Sequence, residues 1–393
     1  MEVISSEKRH IKFWLPLSSV EQGAVDQAKN LANLPFTFHH VAIMPDTHQG
    51  YGMPIGGVLA TEGVVIPNAV GVDIGCGMCV CKTGTKVPEF APILKEFMGK
   101  VRELVPVGFN HHSDPCLIEE MPKLDRMDPK LEIVKSQFQK ARFSLGTLGG
   151  GNHFIEIQRD SEDNIYFMLH SGSRNFGKQI ADYYNEDAKH LNKSWHSVVP
   201  KEWDLAFLPL DSNEGQAYIA EMNFALEFAK LNRQKMMNQL MKVYSQMLNG
   251  GDPVLFGYED VHHNYATMEN HYGKNVMVHR KGATSAKLGE VGIIPGSQGT
   301  SSYIVEGLGN AESFMSCSHG AGRKMSRTKA QNELSLDDEI KRMNDKGVVH
   351  GIRTKKDLDE SAGAYKDIEE VMSNQTDLVK IITKLEPMGV IKG

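Results

Sequence analysis

Gly71-Val-Asp-Ile-Gly-Cys-Gly-Met-Cys-Val-Cys81 passes without a break from a glycine-rich turn carrying an acid and a thiol into an apolar run. Residues 77–81 read as a strand, and its period of two sends Cys79 and Cys81 to one face, where both are expected to be core. Asp73 and Cys76, three apart in a turn whose glycines permit unusual φ and close approach to a ligand, can converge on one cation at the strand's end.

The same device recurs along the chain. Met44-Pro-Asp-Thr-His-Gln-Gly-Tyr-Gly52, Leu148-Gly-Gly-Gly-Asn-His-Phe154, Leu169-His-Ser-Gly-Ser173 and Ser316-Cys-Ser-His-Gly-Ala-Gly322 all gather Asp, Cys or His in glycine-rich turns. Five such turns point to one shared site. Apolar stretches at 64–66, 164–169, 275–279 and 301–306 read as further strands. Segments 18–33, 88–104, 128–142, 175–193, 335–344 and 366–374 read as helices, that at 335 opening with Ser335 three residues before Asp338 as a capping-box variant. Apolar residues at helical spacing over 213–248 predict one long helix, with Lys230, Arg233, Lys235 and Lys242 expected on a solvated face, an RNA-facing edge being the second reading. No repeat, long linker or composition shift divides the chain, so one domain over residues 1–393 is expected.

Composition bounds the function without naming it. Of the 393 residues 40% are hydrophobic and 23% charged, and no apolar run nears the roughly 20 residues that span a bilayer. The polar segment Met1 to His10 lacks a signal peptide's apolar core, so a cytoplasmic protein with reduced thiols and no membrane partner is expected. Five cysteines, three of them packed into 76–81, make a poor disulfide framework. A net charge of −6 means that any polyanion must meet a local basic surface.

His153, His170 and His263 each end or follow an apolar stretch, which suits imidazoles held at strand ends and pointed into a cleft. With Asp73 and Cys76 they mix hard and borderline donors, a set suited to manganese, zinc or iron rather than magnesium. Taken singly, each histidine reads as an ordinary hydrogen-bonded residue. Cys76-Gly-Met-Cys79 also matches Cys-x-x-Cys, but Cys116 and Cys317 stand alone and supply no second half of a zinc knuckle. Nor does the motif open a helix in a βαβ unit as a thioredoxin-like site does.

No P-loop and no Gly-x-Gly-x-x-Gly fingerprint after a strand occurs, and the dipeptide Asp-Gly, needed for a Lys-x-Asp-Gly nucleotidyltransferase, is absent. A covalently carried nucleotide therefore needs another residue. His319 is the candidate, since a largely neutral imidazole can attack phosphorus without the pKa depression a lysine needs. A helical segment from about 323 is expected to follow, which would put the amides of Ala321 and Gly322 at a helix N-terminus. Taken alone, His319 reads first as a histidine in a helix-capping loop.

Those turns, in that order, together with His-Asn-Tyr (263–265), His-Arg-Lys-Gly-Ala (279–283), Ile-Pro-Gly-Ser (294–297) and the terminal Ile-Lys-Gly, resemble the RtcB RNA-splicing ligases over nearly the whole length. The resemblance implies an α+β fold with a β-sheet core, surrounding helices and a central metal cleft. It implies a GTP-dependent ligase that joins RNA 3′-phosphate or 2′,3′-cyclic phosphate ends to 5′-hydroxyl ends, in tRNA splicing or RNA repair, and it leaves open an archease-type activating partner. Asp73, Cys76, His153, His170 and His263 then match the ligands of two manganese ions, with Cys76 shared, and His319 matches the histidine that takes GMP. Phe154, Glu156, Asn264, Ser297, Ser302, Ala321, Gly322, Tyr365 and Lys392 match residues around the guanylate. Asn152 matches a polar residue beside metal and phosphate, and Arg174 one with an RNA-phosphate role. Two departures touch substrate identity more than chemistry: Gln298 stands where methionine is expected, and Cys79-Val-Cys81 replaces an Arg-containing stretch. Two rivals remain: a binuclear metallo-phosphoesterase, which would take no label from GTP, and a cysteine-based zinc scaffold, which would hold one tight zinc.

Overall fold

A computed structural model describes residues 1–125, 128–248 and 256–393. Two sheets dominate. The first has six strands in the order Glu2–Ile4, His10–Phe13, Thr37–His48, Ile55–Thr61, Lys274–Lys281, Asn264–His271, antiparallel except where His10–Phe13 runs parallel to Thr37–His48. The second has seven antiparallel strands: Phe256–His262, Gly77–Lys86, Asn164–Ser171, Phe154–Arg159, Val379–Lys392, Ser302–Gly307 and Val291–Ile294. With helices packed around them, this is the mixed α and β architecture expected.

The strand from Gly77 behaves as its sequence predicts. Cys79 and Cys81 pack with Phe90, Phe97 and Phe167 on one face, while Met78 and Val80 enter a separate cluster with Met168 and Leu385 on the other. Expected strands also form at Val64–Val65, Asn164–Ser171, Lys274–Lys281 and Ser302–Gly307. The other strands escaped the reading, and four of them show why. Thr37–His48 is buried almost throughout its second half, which erases the alternation that marks a half-buried strand; Ile55–Thr61 is nearly all buried too. Val379–Lys392 carries Pro387 and Gly389 at a bulge, and Phe154–Arg159 follows directly on a glycine turn.

The helices fall where expected: Gln22–Ala32, Leu94–Leu104, Glu132–Ala141, Phe176–Ser194, Leu336–Asp345 and Ile368–Ser373. Ser335 accepts the Asp338 N–H at its predicted cap. Asn213–Leu248 is one helix of 36 residues, whose first half packs Tyr218, Met222 and Phe228 into one core and whose second half packs Met236, Met237 and Leu240 into another.

Two expectations are corrected. Arg233 is not on a solvated face: it is fully buried, its guanidinium forked onto Asp260 at 2.8 and 2.6 Å. A buried cation is tolerable only when paired and fully hydrogen-bonded, and the planar fork of arginine allows both. Lys230 and Lys242 are exposed, and Lys235 pairs with Glu120. The second correction concerns residues after His319. No helix starts near 323; the short helix Arg327–Glu333 begins only after Ser326, which caps it through Lys329 N–H. Gly322 adopts φ +72° and the chain pairs instead with residues 364–366, through Lys324 N–H to Ala364 O and Lys366 N–H to Gly322 O, each 2.9 Å. Ala321 and Gly322 therefore do not lie at a helix N-terminus.

Candidate active site

The seven-stranded sheet gathers the site. Gly77 lies opposite both Ser171 and His262, and Met78 and Phe154 both lie opposite His170. Antiparallel neighbours stand about 5 Å apart, so residues at these strand ends are brought together whatever their distance in sequence. Cys76 Sγ is 3.4 Å from His153 Nε2 and 3.2 Å from His170 Nε2, and His170 Nε2 is 3.3 Å from His263 Nε2. Asp73 Oδ2 is 3.8 Å from His153 Nε2. The donor atoms form two triads, Asp73–Cys76–His153 and Cys76–His170–His263, each within 4.8 Å, and Cys76 belongs to both.

The rings are aimed. His153 Nδ1 donates to Leu148 O at 2.9 Å and His170 Nδ1 to Asn152 O at 3.0 Å. A carbonyl can only accept, so each Nδ1 carries the proton and each Nε2 presents a lone pair to the cluster. Burial holds the His170 and His263 rings well below the usual histidine range, and burial together with the neighbouring Asp73 carboxylate pushes the Cys76 thiol well up. A cation among these donors reverses that preference by stabilising the thiolate.

Two neighbours on the long helix brace the turns. Arg233 Nη1 donates to Gly75 O at 3.0 Å and Ser171 O at 2.9 Å, and Nη2 lies 3.1 Å from His262 Nδ1. These partners adjoin Cys76, His170 and His263 in sequence. Asn232, also fully buried, accepts Gly146 N–H at 2.7 Å and donates to Thr147 O and Gly172 O. Asn264 ties the Asp73 turn to Gly282, donating to Asp73 O at 3.1 Å and accepting Gly282 N–H at 2.8 Å.

His319 stands beside this cluster, its ring centroid 4.8 Å from that of His263. Asp46, itself fully buried, accepts from His319 Nδ1 at 2.6 Å and from its backbone N–H at 3.0 Å. Nδ1 is thereby the protonated nitrogen and Nε2 is free to act as a nucleophile. Gly322 closes this corner; a Cβ there would sit 2.0 Å from Asp46 O.

One cleft of ≈ 840 Å³ joins these groups. Asn152, Phe154, Glu156, Asn264, Ser297, Ala321, Gly322, Tyr365 and Lys392 line it along with Asp73, Cys76, His170, His263 and His319. Ser302 is not among the lining residues; it is buried behind them, accepting from Gln158 at 3.0 Å and Gly296 N–H at 3.3 Å. Arg174 is not among the lining residues either; it donates to Thr147 Oγ1 at 2.9 Å and to Gly108 O at 3.0 Å. Burial raises the Glu156 carboxyl to about 8 and lowers the Lys392 ammonium to about 8. Gln298 lines the cleft and donates to Glu360 O at 3.1 Å.

Sequence reasoning missed several groups of this site. Asp46 stands in a quoted motif, but nothing local pairs it with a residue 273 positions away. Lys281, buried against Tyr51 O and Asn68 O and lowered to about 7 by burial, was passed over inside its motif. Arg323 and Arg327 both bind Glu360, which Tyr365 also meets, forming a charged wall that no spacing rule anticipates.

The family model for the tRNA-splicing ligase RtcB matches residues 27–393. The chain is 39% identical to the RNA-splicing ligase RtcB of Escherichia coli K12, over all of this chain and 99% of the relative. It is 33% identical to the tRNA-splicing ligase RtcB of Nanoarchaeum equitans, covering 95% of this chain and 92% of that one. With that of Thermococcus kodakarensis the identity is 31%, over 94% and 91%. A donor cluster built on Cys76, a histidine oriented beside it and a match along the full length lead to one assignment: this chain belongs to the RtcB family and is an enzyme of the ligase type.

Proposed function

We propose that this protein, acting as one catalytic unit over residues 1–393, joins RNA 3′-phosphate or 2′,3′-cyclic phosphate ends to 5′-hydroxyl ends, using GTP and two manganese ions, in tRNA splicing or RNA repair. The observation that carries the reading is the Asp46–His319 pair set beside the Cys76 cluster, a prepared nucleophile next to a cation-binding donor set.

The donors fit manganese. Asp73, Cys76 and His153 would hold one ion and Cys76, His170 and His263 the other, with Nε2 lone pairs already directed inward. When bound, such ions neutralise charge on phosphate oxygens and activate an attacking oxygen. The residues do the rest. His319 Nε2 attacks the α-phosphorus of GTP, the bond to the bridging oxygen breaks, and pyrophosphate leaves. Asp46 stabilises the positive ring of the resulting histidine–GMP without taking its proton. An oxygen of the RNA 3′-phosphate, formed by hydrolysis where the end is cyclic, then attacks that phosphorus and releases His319. The 5′-hydroxyl oxygen finally attacks the RNA 3′-phosphorus, its proton passing to solvent, as the bond from that phosphorus to the bridging oxygen breaks and GMP departs.

Phe154, Glu156, Asn264, Ser297, Ala321, Gly322, Tyr365 and Lys392 would surround the guanylate, with Ser302 supporting from behind, and Asn152 would stand beside metal and phosphate. An archease-type activator and a cytoplasmic setting belong to the same reading; among the described residues no helix is long and apolar enough to cross a membrane. Incubation with α-labelled GTP and manganese tests it: label on the wild-type chain and none on His319→Ala is expected, whereas an unlabelled wild type leaves the phosphoesterase or, if the chain holds one tight zinc, the zinc scaffold.

A further inference from the structure

Phe109 is 99% exposed at the tip of a loop running from Val107 to His112. A single bare ring is ordinary on a protein surface; what sets this one apart is how and where it is held. Gly108 N–H donates to Gly149 O at 2.9 Å, Asn110 N–H to Val107 O at 3.2 Å and His112 N–H to Phe143 O at 3.0 Å. Arg174 Nη2 donates to Gly108 O at 3.0 Å. Gly149 belongs to the turn whose Leu148 O orients His153, so the loop lies one chain thickness from the donor cluster.

The surroundings are cationic. Burial, and after it the neighbouring Arg174, Lys140 and His112, hold the ring of His111 below the usual range, and the ring bonds Ser144 Oγ at 3.1 Å. In a chain of net charge −6 such a grouping is the local basic surface that a polyanion requires. The one other apolar residue of the loop, Val107, packs inward against the core, and Gly108, Asn110, His111 and His112 add no apolar surface to Phe109, which argues against a docking patch for protein and for a flat ring that meets another flat ring.

We propose that Phe109 is a stacking platform for an unpaired base of the RNA strand whose terminal phosphate enters the cleft, with Arg174 and Lys140 supplying the positive charge near its backbone. The inference rests on the RNA-joining reading above and deepens it: every base offers a π-face, so the platform favours single-stranded ends without demanding a sequence.

The probe is a short single-stranded RNA with a 3′-phosphate, carrying 2-aminopurine at each nucleotide upstream of the end in turn, titrated with full-length protein. In the wild type one position is quenched by stacking. Phe109→Ala abolishes that quench and weakens binding about 5- to 100-fold, while Phe109→Trp keeps both, and the thermal midpoints of all three agree. An abasic nucleotide at the quenched position removes the difference between wild type and Phe109→Ala. No quenched position in the wild type, or unchanged quench and affinity in Phe109→Ala, overturns the proposal. Labelling by GTP is read separately: its failure in the wild type sinks the ligase mechanism, whereas labelling with an unquenched RNA sinks only the platform.

Discussion

Asp46 Oδ2 receives both the ring Nδ1–H and the backbone N–H of His319, at 2.6 and 3.0 Å, while its other oxygen is buried with no hydrogen-bond partner among the described residues. One carboxylate thus fixes the tautomer, the rotamer and the chain position of the proposed nucleophile. Asp46→Asn keeps the volume but presents a donor as readily as an acceptor, so the ring can adopt the wrong tautomer. Transfer of label from GTP should fall by about 10²- to 10⁴-fold, with manganese content unchanged. Labelling within threefold of wild type would show that the pairing is only structural.

His319 as a carrier is needed only until its cargo has passed to the RNA. His319→Ala should bind manganese through Asp73, Cys76, His153, His170 and His263, form no adduct and seal no ordinary 3′-phosphate end. Given RNA whose 3′-phosphate is already guanylylated, the same variant should seal it in manganese without GTP, scored on a gel. Failure there, with folding and metal intact, would assign His319 a part in the last step.

Cys76 belongs to both donor triads, and Cys79, three residues on, points into a core of phenylalanines. Cys76→Ala should therefore lose manganese from both positions and abolish labelling and sealing together. Cys79→Ala should cost only packing, about 0.5–3 kcal/mol in a denaturation curve. Equal metal loss in the two variants, measured by elemental analysis, would revive the zinc-knuckle reading.

Arg233 bonds the carbonyls beside Cys76 and His170 and neutralises Asp260. Arg233→Ala leaves a buried, unpaired carboxylate and should cost about 3–5 kcal/mol. Arg233→Lys keeps the charge but not the fork, so it should regain part of the stability while manganese affinity by calorimetry stays weakened. If the lysine variant binds metal as tightly as wild type, the fork does not set the geometry of the turns.

Burial lifts the Glu156 carboxyl from 4.5 to about 8. Its folded pKa is raised, so its contribution to stability is complete below pH 4.5 and is lost as pH rises to about 8. Glu156→Gln cannot ionise. The variant's stability relative to wild type should rise across that interval and level off above it, followed by thermal melts in the absence of GTP and metal. A pH-independent difference would mean that the carboxyl titrates normally.

The strand from Gly77, the common face of Cys79 and Cys81, the cap at Ser335 and the long helix over 213–248 were legible because each depends on a local period or a neighbour three residues away. The donor set and His319 were legible only as motifs in a familiar order, and the structure brings those donors within a few ångströms of one another. Other matters lay outside the sequence. Lys392 reaches the cleft because Val379–Lys392 inserts between Phe154–Arg159 and Ser302–Gly307, pairing Lys392 with Phe154 across the sheet. Arg233 looked like one of four solvated cations until Asp260 and three turns from elsewhere in the chain surrounded it. The amides of Ala321 and Gly322 do not open the expected helix, because residues 364–366 pair with that segment instead. Alternation and capping are settled by residues in contact along the chain, so the sequence determines them by itself. Whether a charge can be buried, or an imidazole oriented, depends on a partner supplied across the fold, and only the tertiary structure decides which partner arrives.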